Sequence, residues 1–268
     1  MLNQTRKFLK MTLPIKIFIF LKKIYGSLRY RSLKYLYYNE NIDLETNEKN
    51  LINLSIDKNQ ILNIFKRFDL DYNDDFLSWH YHLLAGLSKN SKNLKILEIG
   101  THIGHFTKFI SEIYETSTIY SIDLKRESKF FQSTKYNIKD ENESNQFLKQ
   151  RSINLNKKNI KFIEKNSFEL LNQFDKEMFD IIWLDGDHTN PQVSMDVISA
   201  YYLLKKNGIL LADDIFLEKI SKIPNLLDTL EPIKYLTGLN KLKTYYFTKR
   251  INRRNAFAKK FISFSIKI

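Results

Sequence analysis

The chemistry of this sequence lies in acids that follow short apolar runs. Thr118-Ile-Tyr-Ser-Ile-Asp123, Phe179-Asp-Ile-Ile-Trp-Leu-Asp185-Gly-Asp187-His188 and Gly208-Ile-Leu-Leu-Ala-Asp213-Asp214 each pass from core-like residues into carboxylates. As strands of one parallel sheet they deliver every acid to the same edge, where open α/β sheets bind ligands. Like charges gathered there cost free energy unless a cation or a positive ligand compensates them. A hard divalent ion with oxygen ligands is an economical solution. His188 adds a group able to exchange a proton near neutral pH.

The element that organises these acids is Lys95-Ile-Leu-Glu-Ile-Gly-Thr-His-Ile-Gly104. It reads as a buried strand, a glycine turn and then a helix with Phe106, Phe109, Ile110 and Ile113 on one side. Gly100 admits backbone angles that other residues resist and leaves room for a ligand beside the main chain. By itself such a turn is weak evidence, since many α/β domains need one simply to pack. Asp123, 23 residues beyond Gly100, strengthens it. In a nucleotide-binding βαβ unit an acid there accepts hydrogen bonds from ribose hydroxyls.

Further along, Asn159–Ile163 reads as a third strand, and Asn166-Ser167 precedes a helix over Phe168–Phe174, with Ser167 a good cap. Pro191 opens a helix over Gln192–Lys206. Residues 124–159 suggest a helix plus an excursion that covers the site. Helices over Gln60–Phe68 and Phe76–Leu87 precede the first strand, and the Asn-rich residues 40–58 read as a linker. His80 and His82, two apart on a helix, diverge too far to share a metal and read as half-buried structural residues.

The net charge of +13 is carried by the ends. Residues 1–39 hold nine Lys/Arg and residues 234–268 hold ten, neither with an acid, while 40–233 balance at −6. An acidic body argues against a nucleic-acid cleft. Basic, aromatic ends suit an anionic surface, whether membrane, nucleic acid or acidic glycan. Residues 15–39 read as a basic amphipathic helix able to lie on such a surface, to pack on the body or to meet a second subunit in a homo-oligomer. The apolar piece Leu13–Leu21, broken by Lys16, is too short to span a bilayer and fits a signal peptide poorly. With no cysteine there are no disulfides and no thiolate chemistry. A cytoplasmic location, peripheral to the membrane, is expected. Three parts follow: a basic arm and linker over 1–58, a body over 59–250 and a basic tail over 251–268.

The body resembles the class I S-adenosylmethionine-dependent methyltransferases. Glu98-Ile-Gly-Thr-His-Ile-Gly104 resembles their glycine motif and Asp123 their ribose-binding acid. Leu184-Asp-Gly-Asp-His188 and Lys206-Asn-Gly-Ile-Leu-Leu-Ala-Asp-Asp214 resemble a branch that contains macrocin-type and caffeoyl-CoA-type O-methyltransferases. The resemblance implies an α/β, Rossmann-like doubly wound, mostly parallel seven-stranded sheet with an antiparallel last strand. It implies S-adenosyl-L-methionine held by Glu98, Gly100, Thr101, Gly104, Asp123, Asn166, Ser167 and Asp185. It also implies Mg²⁺ on Asp185, Asp213 and Asp214, with His188 as base and Asp187 beside it. The acceptor is then a hydroxyl of a small molecule or sugar. Nucleic-acid methylation, or a non-catalytic membrane-surface protein on the same fold, are the alternative functions. Two residues depart from the family pattern: His102 replaces the middle glycine, and Phe106 replaces a serine at the cofactor's amino-acid end, where Thr101 or Thr107 can substitute. Ile233–Thr237 and Leu242–Thr248 alternate as a closing hairpin. Phe257, Phe261, Phe264 and Ile268 stand at helix-like spacing in a tail outside the core.

Overall fold

The computed structural model describes residues 40–74, 77–89, 91–133, 141–217, 229–251 and 259–268. The expected helix over 15–39 and the start of the C-terminal tail lie outside the described residues. In chain order the elements are α1 (Glu40–Asn53), α2 (Lys58–Arg67), α3 (His80–Leu87), β1 (Lys95–Ile99), α4 (His105–Ile113), β2 (Thr118–Asp123), α5 (Lys129–Ser133), α6 (Glu141–Leu155) and β3 (Ile160–Glu164). A 3₁₀ turn (Ser167–Glu169) then leads into α7 (Leu170–Gln173), β4 (Phe179–Leu184), α8 (Gln192–Leu203), β5 (Leu204–Ile215), α9 (Leu230–Gly238), β6 (Leu242–Thr248) and β7 (Phe261–Lys267).

The seven strands form one sheet in the order β3-β2-β1-β4-β5-β7-β6. β1 to β5 are parallel, and β7 runs antiparallel to both β5 and β6, so the expected fold class holds. Ile96–Ile99 of β1 are flanked by Ile119–Ile122 and Ile181–Leu184. Central parallel strands are covered on both faces, which is why these segments are nearly continuous apolar runs. One face packs against α2, α3 and α4 through Phe65, Trp79, Leu83, Ile110 and Trp183. The other packs against α7, α8 and α9 through Leu170, Val197, Leu203, Ile233 and Leu236.

Three expectations are corrected. The closing hairpin is absent: residues 230–238 are helical, with Leu230, Ile233 and Leu236 buried three apart and Pro232 in the first turn, where its missing N–H costs nothing. β6 pairs instead with β7, which fills the place next to β5. The helix-like spacing of the tail therefore ends in a strand inside the sheet. Its Ser263 and Ser265 are wholly buried, as is Ile262, so the alternation of Ile262, Phe264 and Ile266 with Ser263, Ser265 and Lys267 lies in a strand covered on both faces. Finally, residues 40–53 are a helix where a linker was expected. Asn47 of α1 donates from Nδ2 to the Thr248 carbonyl (3.0 Å) and accepts from the Thr248 N–H (2.8 Å), while Asn50 donates to the Tyr246 carbonyl (3.1 Å). Side-chain amides thus satisfy an edge strand that would otherwise expose unpaired groups.

Among the described residues no helix is long and apolar enough to cross a membrane. Much of the basic charge near the end of the chain is spent internally. Lys249 and Lys260 meet Asp214, Lys259 meets Asp43, and Lys267 donates to the Tyr201 and Leu204 carbonyls and to Glu177.

Candidate active site at the carboxyl edge of the sheet

Strand order reverses between β1 and β4, and open α/β sheets form their ligand crevice at such a point. The glycine turn is tied to both neighbouring strands: at the end of β4 Asp185 N donates to Ile99 O (2.8 Å), and Gly100 N donates to Ile122 O of β2 (2.9 Å). Gly100 has φ +100°, and a Cβ there would lie 2.2 Å from the Asp185 carbonyl oxygen. Gly104, at φ +77° before α4, has another reason to lack a side chain. A Cβ would meet Leu155 Cδ2 at 3.0 Å and Asn154 Cβ at 3.3 Å, both on α6.

That contact brings the last helix of the 124–159 stretch against the glycine turn. Part of that stretch, 134–140, lies outside the described residues, but α6 is bound to the glycine turn. Arg151 Nε donates to the His102 carbonyl (2.7 Å) and Asn154 Nδ2 to the Ile103 carbonyl (2.8 Å). The buried Arg151 guanidinium also lies 3.5 Å from Asp123 and over the rings of Phe147 and Phe162. His102 takes φ +50° where the common pattern has glycine, and its N–H donates to Asp123 Oδ2 at 2.8 Å. Leu124 N donates to the other oxygen, also at 2.8 Å. Burial pushes the Asp123 carboxyl above its usual pKa, against the pull of Arg151 and these N–H groups.

Behind the turn, Glu98 is 1% exposed and accepts hydrogen bonds from Thr107 and Ser121. Thr101 Oγ lies 2.6 Å from Ser121 Oγ. Burial raises the Glu98 pKa to about 8 although both hydroxyls lower it, so the group holds a proton at neutral pH. Glu98, Thr101 and Thr107 thus brace the turn from inside, and neither threonine presents a free hydroxyl at the edge. Phe106 packs among His80, Tyr81 and Trp183. His80 and His82 are buried rather than half-buried, and His82 stacks on Trp79 at 4.4 Å. After β3, Asn166 caps its turn through Phe168 N (3.0 Å), and Ser167 accepts from Gln192 (2.6 Å), which also bonds Asp196.

At the end of β4, His188 Nε2 lies 3.3 Å from Asp185 Oδ1, and its Nδ1 lies 3.4 Å from Thr229 Oγ1. A carboxylate only accepts, so Nε2 carries the proton in this pair and Nδ1 is the basic atom. Burial acts to lower the His188 pKa, but the Asp185 hydrogen bond and the charges of Asp214 and Asp213 outweigh it and raise it. Asp187 is not part of this pair. It is exposed, and its Oδ1 accepts from the N–H and hydroxyl of Thr189 (2.9 and 2.7 Å).

Asp213 and Asp214 lie where the β5–β7 register shifts between Ala212 and Ile215, and Asp214 takes φ +53°. Such a bulge re-aims side chains. Here it turns both carboxylates onto lysines. Lys249, directly after β6, donates from Nζ to Asp213 Oδ2 and, at 2.9 Å, to Asp214 Oδ1; Lys260 donates to Asp214 Oδ2. Burial acts to raise Asp214, but the two ammoniums hold it well below the usual carboxylate range.

These contacts test the expected metal set of Asp185, Asp213 and Asp214, and the fit fails. Both Asp214 oxygens already accept from ammoniums. One ligand atom each from Asp185, His188 and Asp213 lie within 4.8 Å of one another, yet that trio would use His188 as a ligand and not as a base. It would also place an ion on the carboxylate that Lys249 holds. Two unit charges about 4 Å apart repel by roughly 4 kcal/mol at an effective dielectric of about 20, and a divalent ion doubles that. Sequence reasoning missed Lys249 and Arg151. Neither carries a motif, because each reaches the site through pairing with a distant segment.

The sequence model of a methyltransferase domain matches residues 97–215. These residues run from within β1 through the acidic pair near the end of β5. Residues 97–215 carry a methyltransferase domain. No curated protein matches the sequence. Among solved structures, cofactor-bound Rv0187 from MTB is 12% identical, covers 77% of this chain and 87% of its own, and superposes with a TM-score of 0.50. An O-methyltransferase from Bacillus cereus in complex with SAH is 13% identical over 82% of this chain and 96% of its own, at a TM-score of 0.49. The O-methyltransferase TomG from Streptomyces achromogenes, involved in tomaymycin synthesis and solved with SAM, is 14% identical over 84% and 98%, at 0.48. At 12% identity the likeness to Rv0187 speaks for the fold alone.

Proposed function

We propose that this methyltransferase moves the methyl group of S-adenosylmethionine to a hydroxyl of a small molecule or sugar, with His188 as general base. The observation that carries this reading is the Asp185–His188 pair, set beside the Gly100 turn at the reversal point of the sheet. Gly100 and Asp123 offer the backbone opening and acid suited to an adenosine, and Asn166 and Ser167 line the next strand's end. Charge supports the donor. Asp185, Asp213 and Asp214 face two ammoniums, leaving about one negative charge to match a sulfonium.

In the reaction the acceptor oxygen attacks the methyl carbon. The O–C bond forms, the C–S bond breaks with its electron pair going to sulfur, and S-adenosylhomocysteine leaves. The hydroxyl proton passes to His188 Nδ1, while Asp185 holds Nε2–H and stabilises the imidazolium. Holding oxygen and methyl in line supplies much of the remaining acceleration. No step passes through a metal ion.

Labelled-methyl transfer into a fractionated cell extract tests the acceptor class. Label in the small-molecule or glycan fraction, lost with His188→Ala, is the expected result. Label confined to RNA or DNA would replace this reading with nucleic-acid methylation.

A further inference from the structure

We infer that the Lys249 ammonium is a built-in cation: it fills the position between Asp213 and Asp214, so this site assembles without a divalent ion and excludes one. The claim deepens the proposed hydroxyl methylation, on which it rests only for the chemical use of the charge; occupancy is a separate question of binding.

Lys249 is 8% exposed, and a buried ammonium persists only when it is paired. Its pairing is built, not incidental. Its N–H donates to the Lys260 carbonyl (2.9 Å) at the entry to β7, and its carbonyl accepts from Trp79 N (2.8 Å) before α3. The preceding Thr248 is clamped on both backbone groups by Asn47. Three separate segments therefore fix the backbone from which Nζ extends to Asp213 and Asp214. Lys260 takes the remaining Asp214 oxygen, so that carboxylate has both oxygens engaged by ammoniums. A divalent ion would find Asp213 Oδ1, which has no hydrogen-bond partner, and the Asp185 and His188 atoms, and it would have to displace Lys249 to bind them without repulsion. The ammonium can supply at this edge the positive charge that a bound ion would otherwise contribute near the acceptor oxygen.

Mn²⁺ titration read by the electron paramagnetic resonance of the free ion tests this on the full chain, with S-adenosylhomocysteine binding measured on the same samples. Wild-type protein should leave the free-ion signal at its buffer value into the millimolar range. Lys249→Gln should remove signal equivalent to an ion per chain, and adding Asp213→Asn should restore it. Stoichiometric Mn²⁺ binding by the wild type, abolished by Asp185→Asn, would overturn the inference. So would a folded Lys249→Gln protein that gains no binding. If Lys249→Gln does not fold, the wild-type titration still decides. Failure to bind S-adenosylhomocysteine would instead strike at the methyl-transfer reading and leave the metal result standing.

Discussion

A carboxylic acid sealed behind the glycine turn gives the protein a pH signature. Glu98 titrates near 8 when folded against an ordinary value of 4.5, so the folded state keeps a proton that the unfolded chain has lost. Its contribution is fully present below about 4.5 and disappears as pH rises through about 8. Thermal midpoints should therefore fall across that window, and Glu98→Gln should flatten the slope by a few kcal/mol over the range. An unchanged slope in Glu98→Gln would place the buried acid elsewhere. At His188 the expectation concerns rate. His188→Ala should lower methyl transfer by roughly 10²- to 10⁴-fold with S-adenosylhomocysteine affinity intact. Loss of cofactor affinity to the same extent would make the residue a binding group instead of a base. Asp123, Asp185 and Asp213 were legible in the sequence because each directly follows a buried apolar run, and His188 because it closes the acidic turn that Asp185 opens. The partners that set their charge, Arg151 and Lys249, were not, since sequence order holds no trace of which distant segment lands beside a given acid.

At the scale of elements, the turn between β1 and α4 depends on absent side chains. Gly100→Ala would place a methyl 2.2 Å from the Asp185 carbonyl at a strongly positive φ. It should destabilise the protein by more than about 2 kcal/mol, measurable by urea unfolding, because the strand ends must part to admit it. Wild-type stability in that variant would mean that β1 and β4 do not meet as described. Asn47→Ala removes both hydrogen bonds to Thr248 and should cost about 1–3 kcal/mol through the buried groups left unpaired. The strands β1, β2, β4 and β5 were readable from apolar runs and glycines. α9 was misread as a strand although Leu230, Ile233 and Leu236 stand three apart, because the short run Ile233–Thr237 also alternates. α1 was misread as a linker because its asparagines look like loop residues until an edge strand is there to receive them.

For the whole molecule, the end of the chain belongs to the sheet. β7 lies between β5 and β6, with Ile262 and Ser263 wholly buried and Phe264 nearly so. Ending the chain at residue 251 should leave β5 without its antiparallel neighbour and β6 without any strand partner, and should abolish cooperative unfolding by circular dichroism. A truncated protein that unfolds cooperatively at the wild-type midpoint would remove β7 from the core. This part of the fold was hidden because Phe257, Phe261, Phe264 and Ile268 also fit a helical period, while the alternation of Ile262, Phe264 and Ile266 with Ser263, Ser265 and Lys267 is short and its pairing closes only after the rest of the sheet exists.

Isothermal titration of the wild-type chain with S-adenosylhomocysteine, in buffer containing a chelator, tests the central claim most directly. Saturable binding, unaltered by the chelator and weakened by Asp123→Ala, is the predicted result. No binding at millimolar ligand would contradict it.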